Sequence, residues 1–263
     1  PGIDLILPDY TYVLENADKL RGIVITHGHE DHTGTLPYLL KDLDRTVNIY
    51  ATKLTLGLIE GKFAEHRVKN AKLIEIKPGD EVKLGCFTVD FFAVNHSIPG
   101  AVGLFIQSPA GNVLHTGDFK LDDEPLGEAS TLCEDIAAFA GSEGIRLLLA
   151  DSTNVEVEGH SRPEREVRDT LREIFTEAEG RIFIALFSSH IDRVRIVLEL
   201  AGETGRSVLV SGRSLASNIE KAVNLGLLEK PERLYTEQEG ISEAEASRTV
   251  ILATGTQGEP LPP

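Results

Sequence analysis

The segment THGHEDHTG, residues 26–34, places three of the chain's eight histidines and one aspartate within six positions. Imidazole nitrogens and carboxylate oxygens form a ligand set that suits Zn²⁺ and tolerates Mn²⁺. His27 and His29 can converge on one ion, whereas Asp31 and His32 follow at the start of a helix-like stretch and can face a second ion. The alternative is a solvated turn with incidental histidines, but this spacing rarely arises by chance, so the segment predicts a metal site.

Two further side chains extend this ligand set. His96 follows the apolar run FTVDFFAV, and Asp118 ends the run NVLHTGD. A histidine at a strand end is by itself more often an ordinary surface or core residue, and an aspartate in a turn usually serves the turn. Beside the first motif, however, both are favoured as ligands, and the carboxylate of Asp118 can bridge two cations with one oxygen to each.

Short β-rich runs, each ending near Gly, Pro, Asn or Asp, must carry these residues. Strands are predicted at 22–26, 47–52, 72–76, 87–94, 102–108, 112–118 and 145–151, and helices at 33–43, 53–65 and 130–140. The runs 87–94 and 102–108 are close in sequence, which favours neighbouring antiparallel strands. Because a strand end is rigid, loops that leave several such ends can aim their side chains at one point.

The order of the predicted helices and strands changes after about residue 153. Helices are predicted at 165–180, 190–205 and 214–228, alternating with strands at 181–187, 207–212 and 249–255. Strands separated by helices at this interval indicate a parallel, doubly wound α/β unit. The polar connector GHSRPERE, residues 159–166, separates the two patterns, so we predict one domain over 1–155 and another over 156–263.

Composition limits the function classes. The net charge of -16 argues against a protein that coats nucleic acid through a broad basic face, although local Arg or Lys contacts stay possible. No apolar run is long enough to span a membrane. Two cysteines do not make a disulfide framework and fit a reducing, cytoplasmic compartment. The 263 residues contain no Met, which suggests an internal piece of a longer protein.

Seven motifs together resemble a known family. THGHEDHTG, VNHSIPG and HTGDFKLD are similar to the signature motifs of the metallo-β-lactamase superfamily. ADSTN, FSSHIDRV, SGRSL and ATGTQGEP resemble a narrower group, the β-CASP nucleases, and within it the ribonuclease J family. The first motif alone is specific only for the superfamily, whereas GDFKLD, DSTN and TGTQGEP in combination point to the ribonuclease group.

The resemblance implies an α/β fold, a metallo-β-lactamase αββα sandwich followed by a doubly wound parallel β-CASP domain, both incomplete in this sequence. It also implies a ligand set in which His27, His29 and His96 hold one metal, Asp31 and His32 hold another, and Asp118 bridges both. The implied cofactors are two divalent ions, Zn²⁺ first, with Mn²⁺ or Mg²⁺ as alternatives.

Four residues are implied near this centre or on the substrate path. Asp151 matches an acidic residue that orients a metal-bound histidine, so Asp31, Asp118 and Asp151 are the predicted catalytic carboxylates. Without the family, the less favoured alternative for Asp151 is a helix cap or turn residue. Ser188 and Ser189 lie between a strand and a helix, where they could bind substrate phosphate or simply cap the helix. Arg213 is a possible phosphate contact, although Gly-Arg-Ser turns are common.

The resemblance implies a metal-dependent ribonuclease with endonuclease and 5′-to-3′ exonuclease activity in RNA processing and decay. RNA is the implied substrate, and the parent protein is expected to be a dimer or tetramer. Alternatives are another hydrolase on the same fold, a DNA-processing β-CASP enzyme, and a non-catalytic RNA-binding scaffold. The family's first strand, its H-x-S-G-H segment and its last metal-binding histidine have no counterpart here, so this piece alone is expected to be inactive.

Overall fold

The computed structural model describes residues 5–122, 144–236 and 247–254, together with positions 125 and 137. These residues form two compact units. The first holds residues 5–96, 100–121 and 144–158, and the second holds 97–99, 122, 159–236 and 247–254. Within the described residues, none of the helices combines the length and the apolar character that a membrane crossing requires.

The first unit contains two sheets and four helices among its described residues. Its elements are α1 (Thr11–Glu15), β1 (Ile23–Val24), α2 (Glu30–Thr33), α3 (Leu36–Asp42), β2 (Val47–Ala51), α4 (Lys53–His66), β3 (Ala71–Glu75), β4 (Glu81–Leu84), β5 (Phe87–Ala93), β6 (Val102–Gln107), β7 (Val113–His115) and β8 (Leu147–Leu149). Strands β1, β2 and β3 form a parallel sheet in that order. Strands β4 to β8 form the second sheet, antiparallel up to β7 and parallel between β7 and β8.

Buried apolar side chains hold the helices and the two sheets of this unit together as layers. Leu40 and Ile59 from helices α3 and α4 pack with Ile49 against one face of the parallel sheet. The opposite face meets the second sheet, where Tyr50 packs with Phe91 in one buried cluster. Phe92, Phe105 and Leu114 are among the residues that fill a further cluster. The two facing sheets, with helices outside the first, are the layers expected of the αββα sandwich.

The second unit is built on one parallel sheet. Its elements are α5 (Glu164–Glu177), β9 (Ile182–Ala185), α6 (Ile191–Glu203), β10 (Ser207–Ser211), α7 (Arg213–Asn224), β11 (Leu234–Thr236) and β12 (Thr249–Ala253). The strand order is β11-β10-β12-β9, and every pairing is parallel. Buried Val208, Val210, Val250 and Leu252 give the central strands an apolar face. The predicted parallel α/β unit is therefore confirmed.

Sequence reasoning missed three elements and misjudged one boundary. Helix α1 and strands β4 and β11 were not predicted, because each is short and none has a long apolar period. The helix predicted at 33–43 corresponds to α3, since α2 is a separate short helix that ends at Thr33, and Pro37 lies in the first turn of α3, where its missing N–H is tolerated. The helix predicted at 130–140 lies outside the described residues except for position 137.

Candidate metal centre

His27 lies shortly after strand β1, in a segment that is hydrogen-bonded to strands of both neighbouring sheets. The backbone N–H of Ile25 donates to Tyr50, and the N–H of Val102 donates to the carbonyl of Thr26 at 3.0 Å, so both neighbouring sheets hold the chain just before the motif. The His27 side chain is fully buried, and its Nδ1 lies 3.1 Å from the Thr26 hydroxyl. That contact occupies one ring nitrogen and leaves Nε2 directed at the other candidate ligands.

Three histidine nitrogens converge within this cluster. His29 Nδ1 lies 3.1 Å from His27 Nε2 and 3.1 Å from His96 Nε2. Ligands that hold Zn²⁺ tetrahedrally at about 2.1 Å are about 3.4 Å apart, so this spacing fits an ion between the three rings. Three imidazoles this close cannot all be protonated without strong repulsion, which agrees with a metal-binding rather than a cationic cluster.

The carboxylate of Asp118 joins the two halves of the predicted site. Its Oδ2 lies 3.7 Å from His27 Nε2, 3.9 Å from His96 Nε2 and 3.4 Å from His32 Nε2. Asp31 Oδ2 lies 3.4 Å from His32 Nε2. The ligand atoms form two groups, each within 4.8 Å: His27, His29, His96 and Asp118 in the first, and Asp31, His32 and Asp118 in the second. All six predicted ligands are thus brought together, and the His/Asp cluster is able to bind divalent metal.

The surroundings of the three converging imidazole rings keep them uncharged, as metal binding requires. Burial, assisted by neighbouring imidazoles, lowers the pKa of His27 to about 2. Burial and then His29 lower the pKa of His96 to about 4, against the opposite influence of Asp118 and Asp151. Burial also lowers the pKa of His29. The rings are therefore neutral at physiological pH, with lone pairs available for a metal ion.

A tight turn after β7 places Asp118. Gly117 has φ +61, and a Cβ there would lie 2.8 Å from the Val102 carbonyl oxygen and 3.3 Å from Thr26 Cβ. Only glycine satisfies both the left-handed backbone and this close approach. The Gly117 N–H donates to His115 Nδ1 at 2.8 Å, so His115 supports the turn. Its exclusion from the predicted ligand set agrees with this local role.

Asp151 lies just beyond strand β8 and is bound by backbone donors. It accepts hydrogen bonds from the N–H of Thr153 at 2.8 Å and of Phe119 at 3.4 Å. Burial raises the pKa of the Asp151 carboxyl, but the hydrogen bonds from Thr153 and Phe119 and the proximity of His96 outweigh it, so the net pKa is lowered. Asp151 therefore stays ionised close to His96, although its role in orienting that ring remains a prediction.

The substrate residues predicted in the second unit occupy the carboxyl ends of β9 and β10. Ser188 and Ser189 are partly buried in the connection from β9 to α6, and the Ser188 carbonyl accepts a hydrogen bond from Asn218 at 2.9 Å. His190, the first residue of the helix predicted at 190–205, is the N-cap of α6, and its side chain accepts a hydrogen bond from the Arg193 N–H. Arg213 is exposed at the first position of α7. Phosphate binding by these residues stays a prediction.

Sequence reasoning missed several supporting residues. Thr26 belongs to the quoted motif, but nothing in the sequence shows that its hydroxyl faces His27. Glu30 carries an ion pair to Lys62 on α4, which ties helix α2, and with it Asp31 and His32, to the unit. A Gly-Asp pair at the end of a strand could have indicated the turn at Gly117, because glycine is the usual residue where φ is positive.

We expect Thr26→Val to weaken metal binding. Valine keeps the shape of threonine but removes the hydroxyl that fixes His27 Nδ1, and loss of such a supporting hydrogen bond costs about 10- to 100-fold in metal affinity. Titration of metal-free protein with Zn²⁺ or Co²⁺ measures this loss. Thr55→Val is the matched control, because its buried hydroxyl pairs with Thr52 instead of a ligand. Equal affinity in both variants would contradict the assignment.

The metal-free protein should lose stability as pH falls below about 6.5. The pKa values of His27, His29 and His96 are lowered from 6.5 in the folded state, so the unfolded chain binds more protons in this window. The free energy of unfolding then decreases toward acid, by about 1.4 kcal/mol per pH unit for each such histidine. Urea unfolding in EDTA across this range checks the slope. His96→Gln should flatten it, whereas His160→Gln, an exposed histidine outside the cluster, should not.

Comparisons with known proteins agree with this arrangement. A family described as "Beta-lactamase superfamily domain" matches residues 1–181, and one described as "Ribonuclease J, beta-CASP domain" matches residues 179–262. Ribonuclease J from Thermus thermophilus is 42% identical over 99% of this chain and 46% of its own length. Ribonuclease J 1 from Streptococcus pyogenes serotype M3 is 40% identical over 98% of this chain and 46% of its own. The chain thus spans about half the length of these curated relatives.

A solved structure shares the fold. The crystal structure of a protein of unknown function from Enterococcus faecalis V583 superimposes with a TM-score of 0.61. It is 16% identical, and the match covers 98% of this chain and 69% of that one. At this identity the likeness concerns the fold alone.

Proposed function

The chain belongs to the metallo-β-lactamase superfamily, and from that premise we propose that it forms the metal-binding part of a ribonuclease that hydrolyses RNA phosphodiesters. The observation that carries the proposal is the convergence of six His and Asp side chains on two adjoining groups that share Asp118. The match of residues 179–262 to a ribonuclease J domain supports RNA as the substrate. Because the relatives are about twice as long, this activity is proposed for the whole protein.

Two divalent ions are the proposed cofactors, with Zn²⁺ preferred and Mn²⁺ or Mg²⁺ as alternatives. Nitrogen-rich donors favour Zn²⁺ at the group formed by His27, His29 and His96. The second group, with Asp31 and His32, has fewer protein donors among the described residues. When bound, the ions would supply a water of lowered pKa and neutralise charge on the scissile phosphate.

The chain's own residues have separate tasks in this proposal. The neutral rings of His27, His29 and His96 provide lone pairs, and Asp118 supplies the negative charge shared by both groups. Asp31, Asp118 and Asp151 are the proposed catalytic carboxylates. In the second unit, Ser188, Ser189 and Arg213 are proposed to bind substrate phosphates, since they lie at the N-terminal ends of α6 and α7, where the helix dipoles favour negative charge.

Three other functions compete with this one. A thioester or lactam hydrolase could use the same ligands, but such an enzyme does not require the parallel α/β unit, so the presence of that unit counts against this function. A non-catalytic scaffold would have no need to keep six ligands in place. A DNA-processing enzyme is the nearest rival, because phosphate and metal contacts do not read the 2′-hydroxyl.

An assay of the full-length protein on 5′-monophosphorylated RNA, with Zn²⁺ or Mn²⁺ and then with EDTA, tests the proposal. Cleavage should require metal and should be lost in His32→Ala, whose ring is partly exposed, so that folding is retained. His66→Ala is the matched control, because that ring packs on Tyr38 outside the cluster. Preference for DNA or for a chromogenic lactam, or full cleavage by His32→Ala, would overturn it.

The remaining parts of the proposal concern the whole protein. We propose that it acts in the cytoplasm as a homodimer or homotetramer, with domain limits at 1–155 and 156–263. The exposed free thiol of Cys86 supports a reducing compartment, whereas Cys133 lies outside the described residues. The family resemblance alone supports the oligomeric state, which light scattering of the full-length protein would measure.

A further inference from the structure

Thr116 is a buried threonine that lies directly after strand β7 and two residues before Asp118. It is only 4% exposed, and a hydroxyl is costly to bury unless it forms hydrogen bonds. Its Oγ1 donates to the Gly117 carbonyl at 2.7 Å and accepts from the backbone N–H of Asp151 at 3.0 Å. Because a hydroxyl has a single proton, the bond to Gly117 fixes that proton and leaves an oxygen lone pair for Asp151.

The end of strand β8 depends on hydrogen bonds from Thr116. Within the described residues, β8 is the edge strand of its sheet, and Leu147, Leu148 and Leu149 are 48%, 57% and 44% exposed. Apolar packing therefore contributes little to the position of this strand. The Thr116 N–H donates to the Leu149 carbonyl at 3.0 Å, and its hydroxyl binds the N–H of Asp151 two residues further on. Thr116 thus holds the chain at the point where it leaves the sheet.

The carboxylate of Asp151 returns to the same turn. Its Oδ2 accepts from the backbone N–H of Phe119 at 3.4 Å. Asp151 is therefore bound to the chain on both sides of Asp118, by its own N–H to Thr116 and by its carboxylate to Phe119. The bond to Phe119 is near the length at which a hydrogen bond is lost, so a small displacement of Asp151 would break it.

The turn held in this way carries the ligand that both metal groups share. Asp118 Oδ2 lies within 3.9 Å of nitrogens of His27, His32 and His96. Ligand atoms must lie within about 0.2 Å of their ideal distances for tight metal binding. A displacement of the Asp118 turn that a general protein fold would tolerate is therefore enough to weaken the metal centre.

We propose that Thr116 is a positioning residue of the metal centre. Its hydroxyl holds the backbone of Asp151, so that the Asp151 carboxylate stays hydrogen-bonded to the turn that carries Asp118. Thr116 then acts through Asp151 and is itself neither a ligand nor a contact of the substrate. The inference rests on the metal centre of the proposed function and is independent of the RNA substrate.

Titration of the metal-free, full-length protein with Co²⁺, followed by its visible absorption, tests this role. Thr116→Val should lower the Co²⁺ affinity about 10- to 100-fold, as expected when a supporting hydrogen bond is lost. The absorption bands should also change, because they respond to the geometry of the ligands. Thr116→Ser keeps the hydroxyl and should restore both the affinity and the spectrum. Thr55→Val is the matched control, because this buried hydroxyl of the same unit pairs with Thr52.

The same titration in an Asp151→Ala background shows whether Thr116 acts through the Asp151 carboxylate. Asp151→Ala removes the carboxylate but keeps the backbone N–H that binds Thr116. With no carboxylate left to position, adding Thr116→Val should lower the Co²⁺ affinity by no more than about 2-fold, the scatter expected between independent sites.

Two results would overturn the inference. Co²⁺ affinity and absorption in Thr116→Val equal to those in Thr55→Val would make Thr116 a residue of the strand end alone. An equal loss with and without the Asp151 carboxylate would show that Thr116 acts by another route. If Thr116→Val does not fold, Thr116→Ala replaces it with the same expected outcomes. Because cleavage is not measured, a protein that shows this Co²⁺ pattern but cleaves no RNA would retain the inference and overturn the proposed function.

Discussion

Replacing Asp118 by asparagine is expected to abolish the activity of the metal centre. The change keeps the side chain's shape but removes the negative charge that lies within 3.9 Å of His27, His32 and His96. Both ligand groups use this carboxylate, so one substitution damages both at once. Because removal of a mere supporting residue costs about 10- to 100-fold in metal affinity, removal of a shared ligand should cost more than about 100-fold.

Two measurements separate this expectation from a general loss of structure. Metal content after dialysis and metal-dependent RNA cleavage should both fall in Asp118→Asn, while the circular dichroism spectrum stays unchanged. Asp90→Asn is the matched control, because Asp90 lies on strand β5 and contacts Gln107 instead of the cluster. Retention of metal and cleavage by Asp118→Asn would show that this carboxylate is not a ligand.

Patterns of apolar residues were sufficient to predict the longer strands and the regular alternation of helices and strands. Strands β5 and β6 have long apolar runs and were predicted as an antiparallel pair, which the register between Phe91 and Leu104 confirms. The alternation of helices and strands after residue 159 predicted the parallel sheet. Strand β11 was not predicted, because a strand of three residues is too short to show a periodic apolar pattern. Its position in the sheet is set by its pairing with β10.

The ligand set was predictable because its residue types are rare and their spacing is specific. The contacts that hold those ligands were not predictable, because they depend on distances between elements far apart in sequence. Glu30 and Lys62 are separated by 32 positions and meet only after α4 packs on the sheet.

Replacing Gly117 by alanine should strongly destabilise the first unit and displace Asp118. At φ +61 a residue with a Cβ costs about 1–2 kcal/mol in backbone energy. The added Cβ would also lie 2.8 Å from the Val102 carbonyl oxygen, which belongs to a paired strand and cannot move without disturbing β6. We therefore expect a total loss of about 2–4 kcal/mol in the free energy of unfolding, measured by urea denaturation.

Gly144→Ala separates the two causes of this loss. Gly144 belongs to the same unit and has φ +70, but a Cβ there meets nothing within 4 Å. It should show only the backbone cost, about 1 kcal/mol, and should keep its metal affinity. Because the turn at Gly117 sets the position of the next residue, Gly117→Ala should also bind metal more weakly under conditions where it remains folded. If the two alanine variants lose equal stability and bind metal equally, close approach to Val102 does not position Asp118, and the turn's only requirement is its left-handed backbone.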